Sequence, residues 1–96
     1  MPTWDHLPGA EMVREGLTDL CAGRESVAAL LVGIGAPRLR DLGIAVPVVD
    51  TPEHRLYDLL AREEPDAAHA RYNALIRRLV SFERALECAS TRAANE

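Results

Sequence analysis

The side chains in this 96-residue chain that can move protons or hold a metal are three histidines, two cysteines and fifteen carboxylates. A zinc or di-metal centre draws its ligands from spacings such as Glu-x-x-His or His-Glu-x-x-His. The chain offers only His54 with Asp58 at i,i+4 and Asp66 with His69 at i,i+3. On a helical wheel His54 and Asp58 face away from Leu56, Leu59 and Leu60, as a solvated pair does. Nucleophilic catalysis needs a thiol or hydroxyl beside a base, and no His or Asp is spaced to activate Cys21 or Cys88. Cys21 falls on the apolar stripe of the first helix and Cys88 on the outer side of the last. The sequence therefore implies no catalytic residue, no metal and no cofactor.

All eleven cationic side chains are arginines, set against fifteen acids for a formal net charge of −4. That balance disfavours general nucleic-acid binding, which leaves a basic footprint on a domain. Between positions 70 and 95, however, Arg71, Arg77, Arg78, Arg84 and Arg92 face only Glu83 and Glu87. Glu83 also lies within about 40° of the centre of an apolar seam. A carboxylate there needs a partner, either an arginine from another helix such as Arg14, or a cationic group or subunit brought to it.

The elements that must position these residues read as helices. Trp4, Tyr57, Tyr72 and Phe82 are the only aromatic residues, so Leu, Val, Ile and Ala fill the core, a palette suited to close helix packing. Residues 1–7 read as an irregular lead whose Trp4 folds back on the bundle. Pro8 suits the first turn of a helix running to Ala22, with Gly23 as its stop. Ala10, Val13, Leu17, Leu20 and Cys21 form its stripe. The run Val27–Val32 is apolar on every side and must be covered all round, by this chain or by a second one. Gly33 and Gly35 are expected to break it, Pro37 to open a short helix to Leu42, and Gly43 to end that helix. Pro47 makes 44–50 an extended apolar connection rather than a strand. Thr51, Pro52 and Glu53 spell a helix start, with a capping hydroxyl, and that helix runs to Glu63. The longest helix is expected from Pro65 to Ser90, with Ala68, Tyr72, Leu75, Leu79, Phe82, Leu86 and Ala89 as a heptad seam, and 91–96 as a frayed tail.

Two segments resemble known families. Leu31-Val32-Gly33-Ile34-Gly35-Ala36-Pro37-Arg38-Leu39-Arg40-Asp41-Leu42 resembles the helix-hairpin-helix motif, in which a glycine-apolar-glycine turn joins two helices. The resemblance implies a DNA phosphate held by the N–H groups of the turn at Gly33 and Gly35, with Arg38 and Arg40 nearby. The same glycines also suit any tight helix-helix turn. Arg62 and His69, with six residues between them across a helix start, are similar to the Arg-His pattern of HEPN-type ribonucleases, which implies RNA cleavage by a symmetric pair of protomers.

The fold expected is all-α: a single-domain four-helix bundle, mostly antiparallel, with one extra short helix and the extended connection. The function expected first is a non-catalytic interaction or regulatory module acting as a homo-oligomer, most simply a homodimer, or as the small subunit of a complex. Its candidate surface is Leu30 and Val32 in the second helix with Arg77, Glu83 and Arg84 in the last. Nucleic-acid binding through Gly33, Gly35, Arg38 and Arg40 comes second, and an Arg62/His69 ribonuclease third. No stretch approaches the ~18 uninterrupted apolar residues of a membrane span, the N-terminus has no apolar leader, and the cysteines form no CxxC pair. A cytoplasmic protein with reduced thiols and a protein partner is the expectation.

Overall fold

A computed structural model describes residues 4–94 and folds them into four helices: α1 (Ala10–Cys21), α2 (Val27–Asp41), α3 (Pro52–Glu63) and α4 (Ala68–Ala94). There is no strand among the described residues, and the segment 44–49 is extended and unpaired, as Pro47 demands. The all-α bundle read from the sequence is the fold of the chain.

Helix α2 is the axis of the bundle, packed against α1, α3 and α4. Ala28, Ala29, Leu30, Leu31, Val32, Ala36 and Leu39 are all buried, and the partners that cover them come from the same chain: Val13 of α1, Leu56 and Leu60 of α3, and Leu79, Phe82 and Leu86 of α4. The apolar run is therefore satisfied internally. Leu30 and Val32 belong to the core and not to an interaction surface.

The break expected at Gly33 and Gly35 does not occur. Helix α2 runs without interruption from Val27 to Asp41, with Pro37 inside it, so the separate short helix from Pro37 to Leu42 is its C-terminal half. Glycine costs about 1 kcal/mol and proline about 3 kcal/mol inside a helix. Burying Leu31, Val32, Ala36 and Leu39 around them outweighs that, at about 1.5–3 kcal/mol per large side chain.

Glycine does end α1 and α2 where the sequence placed its stops. Gly23 and Gly43 take left-handed backbone, with φ of 73° and 95°. After α1, Gly23 N–H reaches Leu20 O at 3.1 Å and Arg24 N–H reaches Asp19 O at 2.8 Å. After α2, Gly43 N–H reaches Arg40 O at 3.0 Å and Ile44 N–H reaches Leu39 O at 2.9 Å. Both are the paired closure that a left-handed residue after a helix permits.

The starts differ more from expectation. Helix α1 begins at Ala10, with Pro8 in the turn before it and Gly9 capping at φ 82°. Thr51 gives no side-chain cap to α3; its backbone is left-handed (φ 45°), and Arg55 holds the helix entry instead, donating to Asp50 O at 3.3 Å and pairing with Glu25. The cap that does form is at α2, where Ser26 Oγ accepts from Ala29 N–H at 3.1 Å. Helix α4 starts three residues later than read, at Ala68, after a turn at 65–67, and runs on through 91–94 to Ala94. Along it Ala68, Leu79, Phe82 and Leu86 are buried. Trp4 does fold back, standing edge-on to Phe82 with ring centroids 5.5 Å apart at 84°.

Candidate functional site

The two glycines expected to make a turn serve helix contacts instead. A Cβ on Gly33 would meet Val49 Cβ and Cγ2 at 2.9 Å, and one on Gly35 would meet the two Leu79 methyl carbons at 3.0 Å and Glu83 Oε2 at 3.1 Å. Gly16 of α1, with no motif around it to announce its role, is tighter still: a Cβ there would come within 3 Å of the Ala28 carbonyl and Val32 Cγ2. Small residues let backbones approach in this way. The glycine hairpin and its phosphate-binding turn are absent, since Gly33 and Gly35 are buried within a continuous helix.

The arginines assigned to that turn are engaged elsewhere. Arg40 donates Nε and Nη2 to Val46 O at 2.9 and 2.7 Å, pinning the extended connection beneath α2. Arg38 forms an ion pair with Glu87 of α4. Glu83, one turn before Glu87, is half-buried; loss of water raises its carboxyl above the ordinary glutamate range, and the Arg38 charge pulls it partly back. Arg14 is not its partner, because that guanidinium binds Asp5 at 2.7 Å.

Arg62 ends α3 and His69 opens α4, both exposed, and neither makes a hydrogen bond or ion pair among the described residues. His54 Nε2 meets Asp58 Oδ2 at 3.2 Å in the open, the solvated pair expected. Cys21 is exposed rather than on the stripe of α1, where Met12 and Gly16 are buried instead; Cys88 is exposed too, and both thiols are free. Among the described residues no three His, Cys, Asp or Glu side chains gather at metal-binding distance, and no helix is long and apolar enough to cross a membrane.

What remains is the outward side of α4. With its seam turned into the bundle, the opposite face of the 100° wheel carries Ala70, Ala74, Arg77, Ser81, Arg84 and Cys88, with Arg78 at its margin. All seven are exposed. Arg14, Arg24, Arg38, Arg55 and Arg71 each reach a carboxylate, whereas Arg77, Arg78 and Arg84 reach none among the described residues. Glu83 and Glu87 sit on the flank that faces α2, so α4 is basic outward and acidic inward.

Beside this face the Pro8–Gly9 turn crosses α4. It leaves a groove of about 420 Å³ lined by Pro8, Gly9, Ala74, Arg77, Arg78 and Ser81. The left-handed backbone of Gly9 brings the turn close, since a Cβ there would stand 3.4 Å from Arg78 O and Phe82 Cβ. Arg77 and Arg84 were legible from local charge balance, but the groove was not, because its other wall comes from the N-terminal turn.

No family model, curated protein or solved structure matches the chain.

Proposed function

We propose that this protein is a non-catalytic helical interaction module, the small subunit of an assembly, which seats its partner on the outward face of α4. The observation that supports it is the set of three arginines, Arg77, Arg78 and Arg84, that reach no carboxylate among the described residues and lie on one exposed side of a helix whose other side is core. In an acidic chain whose other arginines mostly reach carboxylates, a cationic face whose arginines form no ion pair among the described residues is suited to a partner. The earlier ground for a homodimer, uncovered apolar surface on α2, is removed by the burial of that helix within one chain.

The test is site-specific photo-cross-linking in the native cell, with the photoreactive side chain at Ser81 on α4 or at Asp58 on α3, both exposed. A discrete higher-mass adduct from position 81 and none from position 58 is the expected result. Adducts from position 58 alone, or none from either, overturn the assignment of the face.

A further inference from the structure

Resting on that reading, we infer that the occupant of the α4 face is a short, acidic, amphipathic helix of a partner protein, with an apolar side chain in the Pro8–Gly9 groove and carboxylates on Arg77 and Arg84. The groove supplies the apolar half of the contact. Besides Arg77 and Arg78 on its rims, its lining is Pro8, Gly9, Ala74 and Ser81, all small or apolar, so an aliphatic side chain enters without displacing a large one. The arginines supply the polar half. Arg77 and Arg84 are seven residues apart on one face, about 10 Å along the axis, and guanidinium groups bind carboxylates through two parallel N–H bonds. A facing helix repeats its own side chains over the same interval. Ser81, four residues after Arg77 and three before Arg84, lines the end of the groove, so a leucine at i+3 or i+4 between acids at i and i+7 enters the groove there, an anchor pattern of a helix lying along a groove.

Charge selects this occupant over two others. A nucleic acid presents unbroken negative charge, and along α4 it would lie between Glu83 and Glu87 on one flank and Glu11 and Glu15 of α1, which share a depression with Arg78, on the other. A helix with acids on one stripe alone avoids both flanks. A second copy of this chain fits less well, because the exposed acids of α1 and α3 are interleaved with Arg14, Arg55 and Arg62.

The experiment is fluorescence anisotropy of a labelled helical peptide of about fourteen residues, with Glu at i and i+7 and Leu at i+3 and i+4. Controls are the same peptide with Lys for Glu and a short DNA duplex. Saturable binding of the acidic peptide is expected, weakening about tenfold or more between about 0.05 and 0.5 M salt, as exposed ion pairs do. R77E and R84E are expected to abolish it, and S81W, which fills the groove, to weaken it about tenfold by excluding the leucine. R62E, on an exposed arginine in the last turn of α3 that does not line the groove, is expected to change nothing, and unchanged melting of each variant shows that the fold survives. Absence of saturable binding overturns the proposal, as do equal binding of the Lys peptide, tighter binding of the duplex, or equal loss in R62E. A mass doubled in light scattering and restored to monomer by R84E gives the face to a second copy and overturns it too. If position 81 cross-links a protein while the acidic peptide does not bind, the site stands and the acidic helix is wrong.

Discussion

The carboxylate of Glu83 stands over the bare backbone of Gly35, where a Cβ on the glycine would lie 3.1 Å from Glu83 Oε2. Gly35 leaves a hollow in α2 facing α4, and Glu83 lies against it beside the buried Leu79. Arg38, one turn further along α2, meets the rim of the same hollow and pairs with Glu87. One glycine thereby explains both the half-buried acid and the inward-facing acidic flank of α4.

Glu83 makes stability depend on pH. Desolvation raises its carboxyl in the folded protein, more than the Arg38 charge lowers it. The fold therefore prefers the protonated acid. That preference stabilises the protein in full below the ordinary glutamate range and is lost as pH rises through the raised value. Glu83→Gln keeps the shape and removes the charge, so its Tm should exceed that of the native chain at pH 7 and converge on it below about pH 4. A lower Tm at pH 7 would show that attraction to Arg38 outweighs burial.

Ser26 links the end of α1 to the start of α2. Its hydroxyl donates to Asp19 Oδ2 at 2.6 Å and accepts from Ala29 N–H at 3.1 Å. The Ser26 hydrogen bond, with Arg24 adding to it against some desolvation, holds the Asp19 carboxyl below the ordinary aspartate value. Stability from this contact is present above that ordinary value and is lost as pH falls through the depressed one. Ser26→Ala should cost about 1 kcal/mol at neutral pH, and the Asp19 pKa followed by NMR should rise towards the ordinary value. An unmoved Asp19 would mean that Arg24 alone sets it.

The contrast among these residues shows what local sequence carries. Gly23 and Gly43 were legible as stops because left-handed backbone after a helix is a local requirement that glycine meets without strain. The seam through Leu79, Phe82 and Leu86 was legible because its period is that of the helix. Gly33, Gly35 and Pro37 misled, since what keeps α2 whole is burial by three other helices, a tertiary effect that overrides propensity. Gly16 sent no signal because its neighbour is the carbonyl of Ala28, twelve positions away and close only after folding. The outward arginines could be picked out by counting charges along the chain. Their lack of carboxylate partners depends on where Glu83 and Glu87 point, which the packing of α4 on Gly35 decides.

The crossing of α1 on α2 should tolerate nothing at Gly16. Alanine there gains about 1 kcal/mol of helix propensity, but its Cβ must displace the Ala28 carbonyl, backbone that moves only with the whole helix. Overpacking costs about 1–3 kcal/mol, and a clash with backbone puts it at the upper end, so Gly16→Ala should lower stability by about 2 kcal/mol net in chemical denaturation. Gly23→Ala is the control with open space around it but φ of 73°, and it should lose about 1 kcal/mol from backbone conformation alone. If the two variants melt alike, steric closeness at Gly16 is not what holds the crossing.

The meeting of Gly35 with Leu79 predicts a coupling of definite sign. Leu79 is buried, and Leu79→Ala should cost about 2–5 kcal/mol through lost contacts and the cavity left behind. Gly35→Ala alone sets the helix propensity of alanine against a Cβ placed 3.0 Å from both Leu79 methyl carbons. In the double variant those methyls are gone and the new Cβ occupies part of the space they vacated. The combined loss should then fall short of the sum of the single losses by about 1 kcal/mol, within the range found for residues in contact. Gly33→Ala paired with Leu79→Ala is the comparison. Gly33 faces Val49 and Pro52 instead, so these two losses should add to within about 0.5 kcal/mol. Additivity in both cycles would mean that Gly35 and Leu79 do not touch, and would remove the close approach that sets Glu83 and Glu87 inward and leaves Arg77 and Arg84 facing out.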